Sequence, residues 1–157
     1  LRKFLFERGG HMPEKETLER AEEDRREGKA PSTQAGEFVR EEMHHVREGK
    51  HGARSTKQAI AIGLSKARRS GVDLKPPTRG KKATKRSAAS AYRAGRSRSG
   101  RRPSATRSRA VSRVLRREGS SAASRPALAR QARTSARKRG AASRSAAARK
   151  AARTRKR

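Results

Sequence analysis

The residues of this chain best suited to chemistry are three histidines, His44, His45 and His51, with Glu41 and Glu48 close by in sequence. Imidazole and carboxylate are ordinary ligands of zinc and similar ions. Glu41/His45 and His44/Glu48 are spaced i,i+4, which brings each pair together on a helix. Adjacent histidines, however, point about 100° apart on a helix, and the HExxH pattern of helical zinc sites is missing. The spacing therefore reads as solvated helix and turn residues, and no metal site is expected. The segment Gly49-Lys50-His51-Gly52 is no phosphate loop, because the Gly-Lys pair is not followed by Ser or Thr and no strand precedes it. A phosphate on the helix N-terminus at Ser55, Thr56 and Lys57 stands against an ordinary cap there. No catalytic residue, cofactor site or small-molecule substrate site is read.

Arg-Ser runs offer a second chemistry. Arg96-Ser97-Arg98-Ser99 and Arg101-Arg102-Pro103-Ser104 suit a kinase substrate, an RNA-binding segment of the arginine–serine type, or a plain polycation. Phosphorylation of each Ser would cancel nearly two positive charges and loosen binding to an anion. The polycation is the expected reading.

These groups sit in a chain of 157 residues with 45 Lys+Arg, 14 Asp+Glu and a net charge of +31. Only 30% of it is hydrophobic and 3% aromatic, with no Cys and no Trp. That composition excludes a disulfide scaffold, a thiolate metal site and a large enzyme core. No run of about 18 apolar residues exists, so no membrane span is expected. The charge is uneven. Residues 1–74 hold 16 Lys+Arg and 13 Asp+Glu, whereas residues 75–157 hold 29 Lys+Arg and one acid, Glu118. Pro76-Pro77 marks the boundary, since prolines resist helix continuation.

Three helical segments are predicted before that boundary. Residues 14–27 are almost wholly charged, with i,i+4 pairs such as Glu16/Arg20 and Glu22/Arg26; with Leu18 and Ala21 its only apolar residues, this helix should lie loosely. A second helix, capped by Ser32 or Thr33, runs to about Glu48 and carries the stripe Ala35, Val39, Met43 and Val46 beside Phe38, with Gly49 as its C-terminal cap. A third opens on the capping box Ser55/Gln58 and runs to Ser70, with Ala59, Ile60, Gly63, Leu64 and Ala67 on one face. The second and third are expected to form an antiparallel hairpin. Residues 1–11 are read as an upstream-translated or tag segment, on the expectation that the native bacterial protein starts at Met12.

The run Lys50-His51-Gly52-Ala53-Arg54-Ser55-Thr56-Lys57-Gln58-Ala59-Ile60-Ala61-Ile62-Gly63-Leu64-Ser65-Lys66-Ala67-Arg68, with Val39, Met43 and His44 upstream, resembles a family of small bacterial basic proteins that carry a domain of unknown function. Some of them are labelled plasmid stabilisation proteins. The resemblance covers roughly residues 34–77 and implies a bacterial, DNA-related role. It brings no catalytic residues.

Residues 75–157 consist mainly of Ala, Arg, Ser, Lys, Gly, Thr and Pro, with Tyr92 the only aromatic residue and 22 Arg against 7 Lys. In composition they are similar to linker-histone and bacterial histone-like tails. Low hydrophobicity with high charge predicts disorder. Ser104–Arg117, Pro126–Arg139 and Ala141–Arg157 nevertheless hold few breakers, so a coil-to-helix change on nucleic acid is expected.

The sequence thus predicts a mostly α protein: a small helical head of two or three short helices over residues 12–74, followed by a long intrinsically disordered basic tail over 75–157. The expected function is non-enzymatic, sequence-nonspecific DNA binding in the cytoplasm, associated with the nucleoid or a plasmid. An RNA- or ribosome-associated protein and a nucleic-acid-anchored adaptor are the alternatives. The cations expected to meet phosphate are Lys57, Lys66, Arg68, Arg69, Lys81, Lys82, Lys85, Arg86, Arg96, Arg98, Arg101, Arg102, Arg116, Arg117, Arg137, Lys138, Arg139, Arg149, Lys150, Arg153, Arg155, Lys156 and Arg157. The head would self-associate or dock through Val39, Met43, Val46, Ile60 and Leu64. Its acidic residues could fold back on the tail, a role set against a simple solubilising face. No cofactor and no membrane partner are expected.

Overall fold

A computed structural model describes residues 12–97 and 104–155. The upstream segment 1–11 and Arg98, Arg101, Arg102, Lys156 and Arg157 lie outside the described residues.

The three helices read from the sequence are present: α1 (Lys15–Arg26), α2 (Pro31–Arg47) and α3 (Thr56–Arg69). Their starts differ in chemistry. Helix α2 begins with Pro31 at its first position, after an Ala30 that offers no side-chain cap, so neither Ser32 nor Thr33 caps it. Helix α3 does use Ser55, whose Oγ accepts from the Gln58 amide at 3.2 Å. The Gln58 Oε1 in turn accepts from the Arg54 amide at 2.8 Å, one residue earlier than in the standard box. Gly49, at φ 72°, ends α2 as a left-handed cap.

Helix α1 is not loose. Thr17, Ala21 and Asp24 are its buried residues, while Leu18 is 40% exposed. The Arg20 guanidinium fixes it to α2 by donating to Glu37 at 2.7 Å. The apolar core gathers Ala21, Ala35, Phe38, Ala67 and Val72, with Leu64 and Leu74 packed against it. Helices α2 and α3 meet at Gly63, where an added Cβ would lie 2.7 Å from Val39 Cα.

The expected division into a two- or three-helix head and a disordered tail is overturned. Helices α4 (Lys82–Arg96), α5 (Ala105–Arg117), α6 (Arg125–Lys138) and α7 (Gly140–Arg155) occupy most of the second half, with a 3-10 turn at Ser121–Ala123. These residues are helical and not a long disordered tail. Three of the four fall on the breaker-poor stretches; α4 does not. The physical reason is that Ala and Arg are strong helix formers, and that small residues dock by backbone approach without large apolar side chains. In α4, Ala88 and Ala91 are buried, and a Cβ on Gly95 would strike the Arg68 carbonyl. The region after α5 attaches similarly. The Gly52 amide donates to the Leu115 carbonyl at 2.9 Å and the Ala53 amide to the Gly119 carbonyl at 3.1 Å. Two side chains complete the attachment: Thr56 Oγ1 donates to the Ala122 carbonyl at 2.6 Å and Arg47 Nε to the Ala123 carbonyl at 2.9 Å.

The chain divides into two compact units, residues 1–123 and 124–157. In the second, Ser124 caps α6 by accepting from the Ala127 amide at 3.3 Å, and Arg144 reaches back from α7 to the Ala136 carbonyl at 3.2 Å. Neither α6 nor α7 buries a residue among those described. No helix among the described residues is long and apolar enough to cross a membrane.

Candidate nucleic-acid interface and buried charge cluster

Helix α4 shows how the fold sorts its cations. Ala88, Ala91 and Gly95 form the docked stripe, and at 100° per residue Lys82, Arg86 and Arg93 fall on the opposite face. All three are exposed. They span about 16 Å along the helix axis. Lys81 is exposed and Lys85 half-buried. Arg96 is exposed but occupied: it pairs with Asp73 at 2.6 Å and lies 3.9 Å over the Tyr92 ring. Among the other expected cations, Lys57 and Arg69 are exposed on α3, and Arg116 and Arg117 at the end of α5. In the second unit Arg137, Lys138, Arg139, Arg149, Lys150, Arg153 and Arg155 are all exposed.

Lys66 and Arg68 are placed differently. Both are buried, and Arg68 Nε donates to the Leu74 carbonyl at 3.0 Å. Lys66 Nζ lies 2.7 Å from Glu42 Oε2 and 3.6 Å from Glu41 Oε1. These two cations serve the interior, not a surface. The apolar docking residues are also used internally: Met43 and Val46 are buried and Leu64 packs on the core.

The partners of Lys66 belong to a cluster between α2, α3 and the loop joining them. Glu42 and His51 side chains are 0% and 1% exposed, and His51 Nε2 sits 3.1 Å from Glu42 Oε1. Glu41 and His45 are buried beside them, with 3.8 Å between Glu41 Oε1 and His45 Nδ1. The two imidazoles meet edge to face with centroids 6.1 Å apart. Neither Glu42 oxygen, nor Glu41 Oε1, nor Lys66 Nζ has a hydrogen-bond partner of good alignment, so Coulomb attraction holds this interior together. At the rim, Glu14 Oε1 accepts from His45 Nε2 at 2.9 Å and from Lys50 Nζ at 3.0 Å. These two donors hold the Glu14 carboxyl down at about 2.

The histidine trio of the sequence is thus split: His44 is exposed, while His45 and His51 are brought together with Glu42. Sequence reasoning passed over Glu42 and the structural use of Lys66. A signal existed. Ala35, Phe38, Glu42, His45 and Val46 fall within a helical face about 100° wide, so two ionisable residues stand in the core stripe.

Residues 29–79 match a family of unknown function, DUF6496. That segment contains Glu41, Glu42, His45, His51 and Lys66, and also the core residues Ala35, Phe38 and Ala67. The family's description assigns no activity, and neither a plasmid-stabilisation label nor a likeness to linker histones comes with it. No curated protein and no solved structure matches the chain.

Proposed function

We propose that this protein is a non-enzymatic, sequence-nonspecific DNA-binding protein, in which packed basic helices present rows of cations to the phosphate backbone. The observation that carries the reading is the geometry of α4, whose small-residue stripe faces the head while Lys82, Arg86 and Arg93 face solvent. Residues 75–157 add to it 29 Lys+Arg against one acid. Each phosphate neutralised by such a cation releases condensed counterions, which drives binding without reading bases. Among the described residues no element supplies a base-reading device: the exposed side chains of these helices are Arg, Lys, Ser, Thr and Ala, with Val111 and Val114 on α5 and Pro126 on α6, and Tyr92 is tied to Asp73. Association with a nucleoid or a plasmid is the setting this reading implies.

The experiment is a salt series with duplex DNA of unrelated sequences. A protein making about ten phosphate contacts gives a log–log slope near −9, equal for every sequence. A shallow slope, or strong preference for one sequence, overturns the reading. Crosslinking and sequencing of nucleic acid bound in cells assigns the partner: ribosomal or messenger RNA in place of genome-wide DNA would move the same cations to an RNA-associated role.

A further inference from the structure

The buried cluster has the composition and geometry of a divalent-metal site. One ligand atom from each of Glu42, His45 and His51 lies within 4.8 Å of the other two, and all three residues are buried. Convergence of two imidazoles and one carboxylate from a helix and the loop after it is the donor set that zinc and related ions take.

The proton positions follow from the outer partners. A carbonyl only accepts, so His51 Nδ1, 3.0 Å from the Gly52 carbonyl, carries the hydrogen. Glu14 already accepts from the Lys50 ammonium and acts as a carboxylate, so His45 Nε2 carries the hydrogen of that 2.9 Å contact. A neutral ring then holds its lone pair on the other nitrogen. Those nitrogens, His51 Nε2 and His45 Nδ1, are the ones turned to Glu42 and Glu41, at 3.1 and 3.8 Å. Backbone carbonyl and carboxylate behind an imidazole are the usual outer supports of a metal-ligating histidine. Lys66 completes the arrangement by taking Glu42 Oε2, which leaves Oε1 on the histidine side.

Charge points the same way. The ion-pair network that touches the two rings holds Glu14, Glu41, Glu42 and Glu48 against Lys50 and Lys66. With neutral imidazoles its deficit is two positive charges, one in the buried part, Glu41 and Glu42 against Lys66, where it is costly, and one at the half-exposed rim, Glu14 and Glu48 against Lys50. One divalent cation cancels it. A surface depression whose lining includes Glu14, Glu41, His44, His45, Glu48 and Lys50 reaches the Glu41 and His45 side of the cluster from solvent.

We propose that Glu42, His45 and His51 bind a divalent transition-metal ion, zinc in the first instance, with a Glu41 oxygen beside it as the fourth donor, and that this ion ties α2 to the loop leading into α3. The site is independent of the nucleic-acid reading and concerns the fold of the head.

The test uses the full chain, free of any polyhistidine tag and stripped with chelator. Titration with Zn2+ followed by calorimetry is expected to show one ion per chain. With Co2+ as a probe, the visible spectrum of a four-coordinate nitrogen–oxygen site is expected, lost on adding Zn2+. In the unsubstituted protein, Zn2+ should move the ring resonances of His45 and His51 and leave His44 in place. Glu42→Gln should weaken Zn2+ at least tenfold, and His44→Ala should leave it unchanged. No stoichiometric uptake, or uptake that shifts His44 alone, overturns the proposal. So does a pair of histidines that titrate as two imidazolium ions with Zn2+ present, because the missing charge is then supplied by protons. The resonance measurement needs no substitution, so a misfolded variant does not leave the question open.

Discussion

The Tyr92 hydroxyl donates to Asp73 Oδ1 at 2.5 Å, joining the segment after α3 to the middle of α4. Arg96, one turn further along α4, pairs with the same oxygen at 2.6 Å. This contact fastens the first basic helix to the head. Tyr92 is the only tyrosine and the chain has no tryptophan, so its signal reports on α4 alone.

The pH dependence of that attachment has a definite sign. Hydrogen bonds from Tyr92 and then Arg96 hold the Asp73 carboxyl below its ordinary 3.8. A lowered carboxyl contributes stability that is complete above the ordinary value and is lost as pH falls through the lowered one. The bond to Asp73 raises the Tyr92 hydroxyl above 10.0, so its contribution is complete below that value and lost as pH rises through the raised one. Tyrosine fluorescence should therefore be flat across neutral pH and change at both ends. In Asp73→Asn the phenolate should form at lower pH than in the parent; unchanged phenolate titration would show that the bond is not made in solution.

Two helical glycines should respond oppositely to alanine. Gly36 is exposed within α2 and a Cβ there meets nothing, so Gly36→Ala should stabilise by about 0.5–1 kcal/mol through helix propensity. Gly63 lies in α3 where a Cβ would sit 2.7 Å from Val39 Cα, a backbone atom that cannot step aside alone. Gly63→Ala should destabilise by about 1–3 kcal/mol despite the same gain in propensity. Chemical denaturation of both variants provides the comparison. Equal shifts in the same direction would mean that α2 and α3 do not meet there.

The contrast explains what the sequence could and could not disclose. Helices α2 and α3 were legible because Phe38, Val39, Val46 and Leu64 recur at helical spacing and Ser55 and Gly49 punctuate them. Helix α4 was not, because its contact face is Ala88, Ala91 and Gly95. Hydrophobic patterning gives such residues little weight, although alanine costs little side-chain entropy and a bare Cα allows one backbone to approach another. The breaker-poor stretches did mark α5, α6 and α7. Low hydrophobicity with high charge points to disorder in these stretches, and helix propensity outweighs it. The buried cluster was hidden for another reason: its members come from positions 14, 41, 42, 45, 51 and 66, and only the crossing of α2 with α3 makes them neighbours.

Lys66 offers a direct test of that crossing. Its ammonium is the near partner of a carboxylate with no exposed surface. Lys66→Met, measured with chelator present, leaves Glu42 buried without its cation and should cost about 3–5 kcal/mol. Combining it with Glu42→Gln should recover much of the loss, since the stranded charge is then gone. Strict additivity of the two losses would mean that the side chains do not meet.

Nucleic-acid affinity should separate the inward cations from the outward ones. Replacing Lys82, Arg86 and Arg93 together by Gln removes three exposed charges from the face of α4 that makes no contact with the head. If each neutralises one phosphate, the log–log salt slope should fall in magnitude by about 3 while tyrosine fluorescence stays that of the docked helix. Arg68→Gln is the matching control, because its guanidinium is buried against the Leu74 carbonyl. It should lower thermal stability and leave the slope of the remaining folded protein where it was. A slope that fell equally in both variants would show that affinity follows net charge alone and that the helical faces do not organise it.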